Sequence, residues 1–211
     1  MDIKICGLTH PEDARAARDA GADFYGVVFA AGSPRRVTEA EAAAVVSALG
    51  PGARVLGVFV NEAPDRVLAA ARACGLWGVQ LHGDERLEAF AGFPLPVWRA
   101  VRAGGGVCAP DPALWPAAQR LVVDAYEAGR YGGTGRLADW SLARRLARAR
   151  PVMLAGGLTP EHVATAVAAV GPAGVDVSSG VEREPGRKDP AKMRAFVAQA
   201  RAAAAGASGC P

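Results

Sequence analysis

A closed (βα)8 TIM barrel, eight parallel strands with outer helices, is the fold class this sequence predicts. Three observations carry it. Eight short runs rich in Val, Ile, Leu or Ala recur along 211 residues, each run ends in a polar or glycine residue, and a helix-like stretch follows each. Alternation of this kind, repeated round a full circle, closes a parallel sheet and gathers reactive groups at the C-terminal ends of the strands.

Strands are expected at 2–6, 24–29, 54–60, 77–81, 96–101, 120–124, 151–155 and 174–178. All are short and apolar, as strands buried on both faces are. In the first, alternation sends Ile3 and Ile5 toward the helices and Lys4 and Cys6 into the barrel. Helical spacing marks 10–20, 38–49, 63–74, 85–91, 110–118, 138–149, 160–169 and 189–204. Thr9, Thr38 and Thr159 each stand where a hydroxyl would cap a helix start, and Pro160 fits a first turn. Gly21, Gly50 and Gly75 close the helices before them. Residues 1–205 form one barrel domain, and 206–211 read as a frayed tail. An open doubly wound sheet would use the same elements, but no run reads as an edge strand, which favours closure.

The chain is 51% hydrophobic and 21% charged, a balance suited to one globular domain. At 211 residues it is short for this fold, so its loops must be brief. A net charge of +3 from scattered basic residues argues against a nucleic-acid partner. No apolar run approaches the roughly 20 residues that span a bilayer, and no leader-like segment opens the sequence, so no membrane partner is expected. Cys6, Cys74, Cys108 and Cys210 show neither paired spacing nor a metal pattern with the three histidines. Free thiols suit a reducing, cytoplasmic setting. Apolar helix faces leave the oligomeric state open, a homodimer included.

Cys6 ends the first strand at the rim. Taken alone it suits first a small core hydrophobe, and second a reactive thiol whose thiolate Lys4 would favour. Asp124 ends the sixth strand on the face of Val122. It reads either as a capping carboxylate or as a general acid in a water-poor mouth. Gly156-Gly157 and Ser178-Ser179-Gly180 follow strands seven and eight, where barrels of this type build phosphate sites. Bare glycines admit an anion to backbone N–H groups. Gly132-Gly133-Thr134-Gly135 lies on a loop able to close over a ligand. Arg35, after strand two, suits a substrate carboxylate or phosphate, or solvent. His82 is placed to contact substrate or to bond structurally, and Asn61 reads as a cap.

Together the motifs resemble the phosphoribosylanthranilate isomerase family of tryptophan biosynthesis. The matching stretches include Lys4-Ile5-Cys6-Gly7-Leu8-Thr9, Gly57-Val58-Phe59-Val60-Asn61-Glu62, Gln80-Leu81-His82-Gly83, Asp124, Gly132-Gly133-Thr134-Gly135, Ala155-Gly156-Gly157-Leu158, Asp176 through Glu182, and Pro185 through Asp189. The segment 84–119 matches least. The resemblance implies an Amadori rearrangement of N-(5-phosphoribosyl)anthranilate to 1-(2-carboxyphenylamino)-1-deoxyribulose 5-phosphate. It implies Cys6 as general base and Asp124 as general acid. Arg35, His82 and Asp176 would contact the small phosphosugar substrate. Gly133, Gly156, Gly157, Ser178, Ser179 and Gly180 would cradle its phosphate. The rearrangement involves no redox change, so neither a cofactor nor a metal is needed. Two rivals stand beside it: the related histidine-pathway isomerase, which carries an aspartate where this chain has Cys6, and a non-catalytic phosphosugar-binding barrel.

Overall fold

The computed structural model describes residues 1–103, 118–125 and 140–207. Eight strands close in sequence order, each parallel to its neighbours. They are β1 (Asp2–Ile5), β2 (Phe24–Val28), β3 (Val55–Phe59), β4 (Gly78–Leu81), β5 (Val97–Ala103), β6 (Arg120–Ala125), β7 (Val152–Leu154) and β8 (Gly174–Val177). Closure is carried by the β1–β8 pairing, in which Lys4 faces Asp176 and Ile5 faces Val177 in register. Outside lie α1 (Pro11–Asp19), α2 (Glu39–Leu49), α3 (Pro64–Cys74), α4 (Trp140–Ala147), α5 (Val163–Val170) and α6 (Pro190–Ala207). The helix expected at 110–118 falls almost wholly outside the described residues, as do Cys108, Cys210 and the loop around Gly133.

Strand alternation divides the core in two. Ile3, Ile5, Val27, Val79, Leu81, Leu121 and Val123 face outward into the layer shared with the helices. Phe24, Leu56, Trp98, Ala100, Val122, Met153 and Ala155 fill the barrel itself. Phe24 meets Trp98 edge-on, with ring centroids 4.8 Å apart. Below this pair the Arg54 guanidinium lies 3.9 Å from the Phe24 centroid, and Arg120 lies 5.4 Å from both rings while pairing with Asp2. Aromatic faces attract such cations, so the N-terminal end of the barrel is plugged by arginine and aromatic layers.

Several local expectations change. The helix expected at 85–91 is a single 3-10 turn, Leu87–Phe90. Gly92, at φ 70°, and the prolines at 94 and 96 leave room for no second turn. Thr38 forms the expected reciprocal box with Glu41 at the start of α2. Thr9 does not cap α1, whose N-cap is His10; its hydroxyl instead donates to the Gly186 carbonyl. Residues 160–162 form a turn, and α5 begins later, at Val163 with His162 as its N-cap. Asn61 caps nothing: at φ 55° its side-chain oxygen accepts from the Asp84 N–H and ties two mouth loops together. A small antiparallel hairpin, β9 (Glu182–Glu184) and β10 (Arg187–Lys188), was not anticipated. Its strands are too short for any periodicity to register.

Trp98 is fully buried inside the barrel. Trp98→Ala should cost about 3–5 kcal/mol of unfolding free energy, measured as a lower denaturant midpoint. The same change at half-buried Trp77 should cost clearly less.

Candidate active site

At the C-terminal end of the barrel the strands surround a cavity of about 710 Å³, counting its open mouth. Cys6, Arg35, His82, Asp124, Gly156, Gly157, Asp176, Ser178 and Ser179 line it. Groups from β1, β2, β4, β6, β7 and β8 and their following loops thus meet in one place, as strand position implied. Gly180 lies just behind the lining. A side chain there would place its first carbon 1.9 Å from the Leu158 carbonyl oxygen, so only glycine lets these two loops touch. Gly156 and Gly157 hold φ values of 82° and 63°, a left-handed turn that glycine adopts readily. Gly133 lies outside the described residues.

Cys6 sits one residue past β1, with its N–H bonded to the Val177 carbonyl at 2.8 Å. A side chain on Gly26 of β2 would place its first carbon 2.6 Å from the Cys6 sulfur. The bare backbone of Gly26 therefore makes the pocket in which the thiol rests. Burial pushes the Cys6 thiol above its ordinary pKa, and the charges of Lys4 and Lys188 pull it back only in part.

Two buried charge clusters frame the thiol. In the first, Lys4 Nζ donates to Asp176 Oδ2 at 2.7 Å and to Gln80 Oε1 at 3.0 Å. Burial works against the Lys4 ammonium, but Asp176 and Cys6 together outweigh it and the pKa lies above its ordinary value. In the second, Arg35 grips Glu182 through Nε and Nη2, both at 2.7 Å. Lys188 joins the same carboxylate at 2.8 Å and donates to the Ser178 carbonyl at 3.1 Å. Burial raises the Glu182 carboxyl, yet the Arg35 hydrogen bonds and the Lys188 charge prevail, and its pKa is lowered. The β9–β10 hairpin supplies both Glu182 and Lys188. It clamps one edge of the Arg35 guanidinium and leaves the remaining N–H groups available to the cavity.

Opposite, His82 places Nε2 3.3 Å from Asp124 Oδ2, while Nδ1 lies 3.0 Å from the Gln80 amide nitrogen. A third pair fixes the neighbouring loop: Arg99 meets Glu85 at 2.6 Å, and Glu85 also accepts from the N–H groups of Asn61 and Gly83. Residue type and spacing alone single out no role for Gly26, Gln80, Glu182 or Lys188. The inward register of Gln80, two residues before His82, was the available signal for it. For Glu182 and Lys188, only membership in the matched motifs pointed that way. Among the described residues no group of three or more His, Cys, Asp or Glu is placed to hold a metal ion. No helix among them is long and apolar enough to cross a membrane.

A buried thiol, imidazole and acid facing one open cavity at this end of a closed barrel is the layout of a TIM-barrel enzyme. Residues 3–199 match the model of the N-(5'-phosphoribosyl)anthranilate (PRA) isomerase family. A relative of that description from Roseiflexus castenholzii is 49% identical, over 97% of this chain and all of its own length. The crystal structure of phosphoribosyl anthranilate isomerase from Thermus thermophilus superposes with a TM-score of 0.85 at 38% identity, covering 96% of this chain and 99% of that one. A further isomerase structure, in complex with reduced 1-(o-carboxyphenylamino)-1-deoxyribulose 5-phosphate, gives a TM-score of 0.79 at 33% identity, with 96% and 99% covered. The chain belongs to the phosphoribosylanthranilate isomerase family.

The direction of the Cys6 shift is directly testable. Its alkylation rate, followed by peptide mapping, should rise with pH along a titration centred above about 8.5, the ordinary thiol value. Lys188→Met removes a cation that favours the thiolate and should move the midpoint higher still. A midpoint below that of an ordinary thiol would contradict the balance of burial over charge.

Proposed function

We propose that this chain converts N-(5'-phosphoribosyl)anthranilate to 1-(o-carboxyphenylamino)-1-deoxyribulose 5-phosphate, with Asp124 as general acid and Cys6 as general base. The observation that carries the reading is that both side chains line one cavity together with the glycine and serine loops of β7 and β8. The family match along residues 3–199 supports the substrate. The product analogue bound in a relative at 33% identity supports it further.

In this reading Asp124, protonated, gives its proton to the furanose ring oxygen. The ring opens and the anthranilate nitrogen becomes a protonated Schiff base. That cation acidifies the hydrogen on C2, which the Cys6 thiolate removes to give an enolamine, and the enolamine tautomerises to the ketone. A thiol whose pKa burial has raised ionises less readily on its own. The Schiff-base cation beside it supplies positive charge at the step that needs the thiolate.

Arg35 would face the anthranilate carboxylate with the N–H groups that Glu182 leaves free. Gly156, Gly157, Ser178, Ser179 and Gly180, with Gly133 on the loop outside the described residues, would hold the phosphate through backbone N–H groups. Asp176, held by Lys4, and His82 would line the sugar. No step transfers electrons to or from an acceptor, so the proposed chemistry calls for no cofactor.

Cys6→Ala and Asp124→Asn should each fold normally and lower kcat by about 10²–10⁴-fold. Stopped-flow loss of substrate fluorescence would measure this. Near-normal turnover in either variant removes that residue from its role. Gly157→Asp, which sets a carboxylate where the phosphate would sit, should raise KM far more than it lowers kcat. Turnover of the histidine-pathway aminoaldose in place of the anthranilate compound would favour the rival isomerase. Binding of phosphosugar without turnover would favour the non-catalytic barrel.

A further inference from the structure

A chain of buried polar groups leads up to the general acid, and its other members take no part in the proposed proton transfers. Lys4 is fully buried, and Gln80, His82, Asp124 and Asp176 are each less than 10% exposed. Lys4 Nζ bonds the Gln80 side-chain oxygen at 3.0 Å. An ammonium has donors and no acceptor, so the Gln80 amide must turn its oxygen to Lys4 and its NH2 the other way. That nitrogen lies 3.0 Å from His82 Nδ1. An NH2 group is likewise a donor only, so Nδ1 must be bare, and a neutral ring then carries its proton on Nε2. Nε2 stands 3.3 Å from Asp124 Oδ2. It makes no well-aligned hydrogen bond, as suits a contact that tightens only when Asp124 becomes a carboxylate.

We propose that Lys4 and Gln80 are positioning residues that fix His82 as the Nε2–H tautomer and so aim a donor at Oδ2 of the general acid. Once that N–H turns onto Oδ2, the transferable proton belongs on Oδ1. When that proton has gone to the ring oxygen, the same N–H stabilises the carboxylate left behind. Atoms balance without a further participant, since His82 keeps its proton throughout. The role rests on Asp124 as general acid; the tautomer does not.

The test reads both. Long-range nitrogen–proton correlation NMR of the whole chain at about pH 8, above the ordinary histidine pKa, resolves the three histidines. His82 should show a protonated Nε2 and a bare Nδ1. In Gln80→Glu the carboxylate accepts where the amide donated, so Nδ1 should gain a proton. kcat should then fall about ten- to a hundredfold with KM nearly unchanged. Gln80→Met keeps the side-chain volume and offers no donor, and serves if the glutamate variant does not fold. It should give a mixed tautomer and a smaller loss of kcat. A protonated Nδ1 in the unaltered chain overturns the proposal. So does a normal kcat in Gln80→Glu with a changed tautomer while Asp124→Asn is slow. A normal rate in Asp124→Asn instead overturns the acid assignment itself, and this role with it.

Discussion

A lysine ammonium out of reach of solvent is sustainable only where opposite charge and hydrogen bonds surround it, and Lys4 meets that demand inside the barrel. Strand alternation forces it inward, because Ile3 and Ile5 must take the helix side. Asp176 meets it from the strand that closes the sheet, so the ion pair also joins the first strand to the last. The polar centre of the mouth is arranged about this one charge. It turns the Gln80 amide, contributes to the potential at Cys6 and holds the Asp176 carboxylate in place. Removing it would leave a buried carboxylate without its partner, a loss out of proportion to one hydrogen bond.

The second cluster works from outside the sheet. Arg35 reaches the mouth from the loop after β2, and a long side chain on a loop has many rotamers to lose. The fork to Glu182, itself fastened by Lys188, removes that freedom before any ligand arrives. The hairpin that delivers both groups lies between β8 and α6, an interval that in a minimal barrel would be a plain connection. The Glu85 clasp treats the β3 and β4 loops in the same way, joining Asn61, Gly83 and Arg99 through one carboxylate. Pre-set side chains cost less to order on binding.

The barrel is legible in the sequence because its strands are apolar runs with clear punctuation, and because a chain that ends each run in a polar residue gathers those residues at one rim. Cys6 and Asp124 follow from that rule with no contact known in advance, whereas Asp176, inside the eighth strand, is reached only through the matched motifs. What stays hidden is of another kind. Gln80 matters for which atom of its amide faces Lys4, and Gly26 for the sulfur beside it; both are properties of pairs across strands. The hairpin at 182–188 is held by buried charges rather than by periodicity. At Thr9 and Asn61 the residue type suits a cap, yet tertiary partners claim both side chains. The turn at Leu87–Phe90 is cut short by glycine and prolines that follow it, a stop signal that outweighs the short helical pattern.

Among the described residues, the arginine and aromatic layers beneath Phe24 and Trp98 close the lower end of the barrel, and the cavity opens at the rim. In the proposed reaction, ketose still seated in this well would keep the next aminoaldose out until it departed.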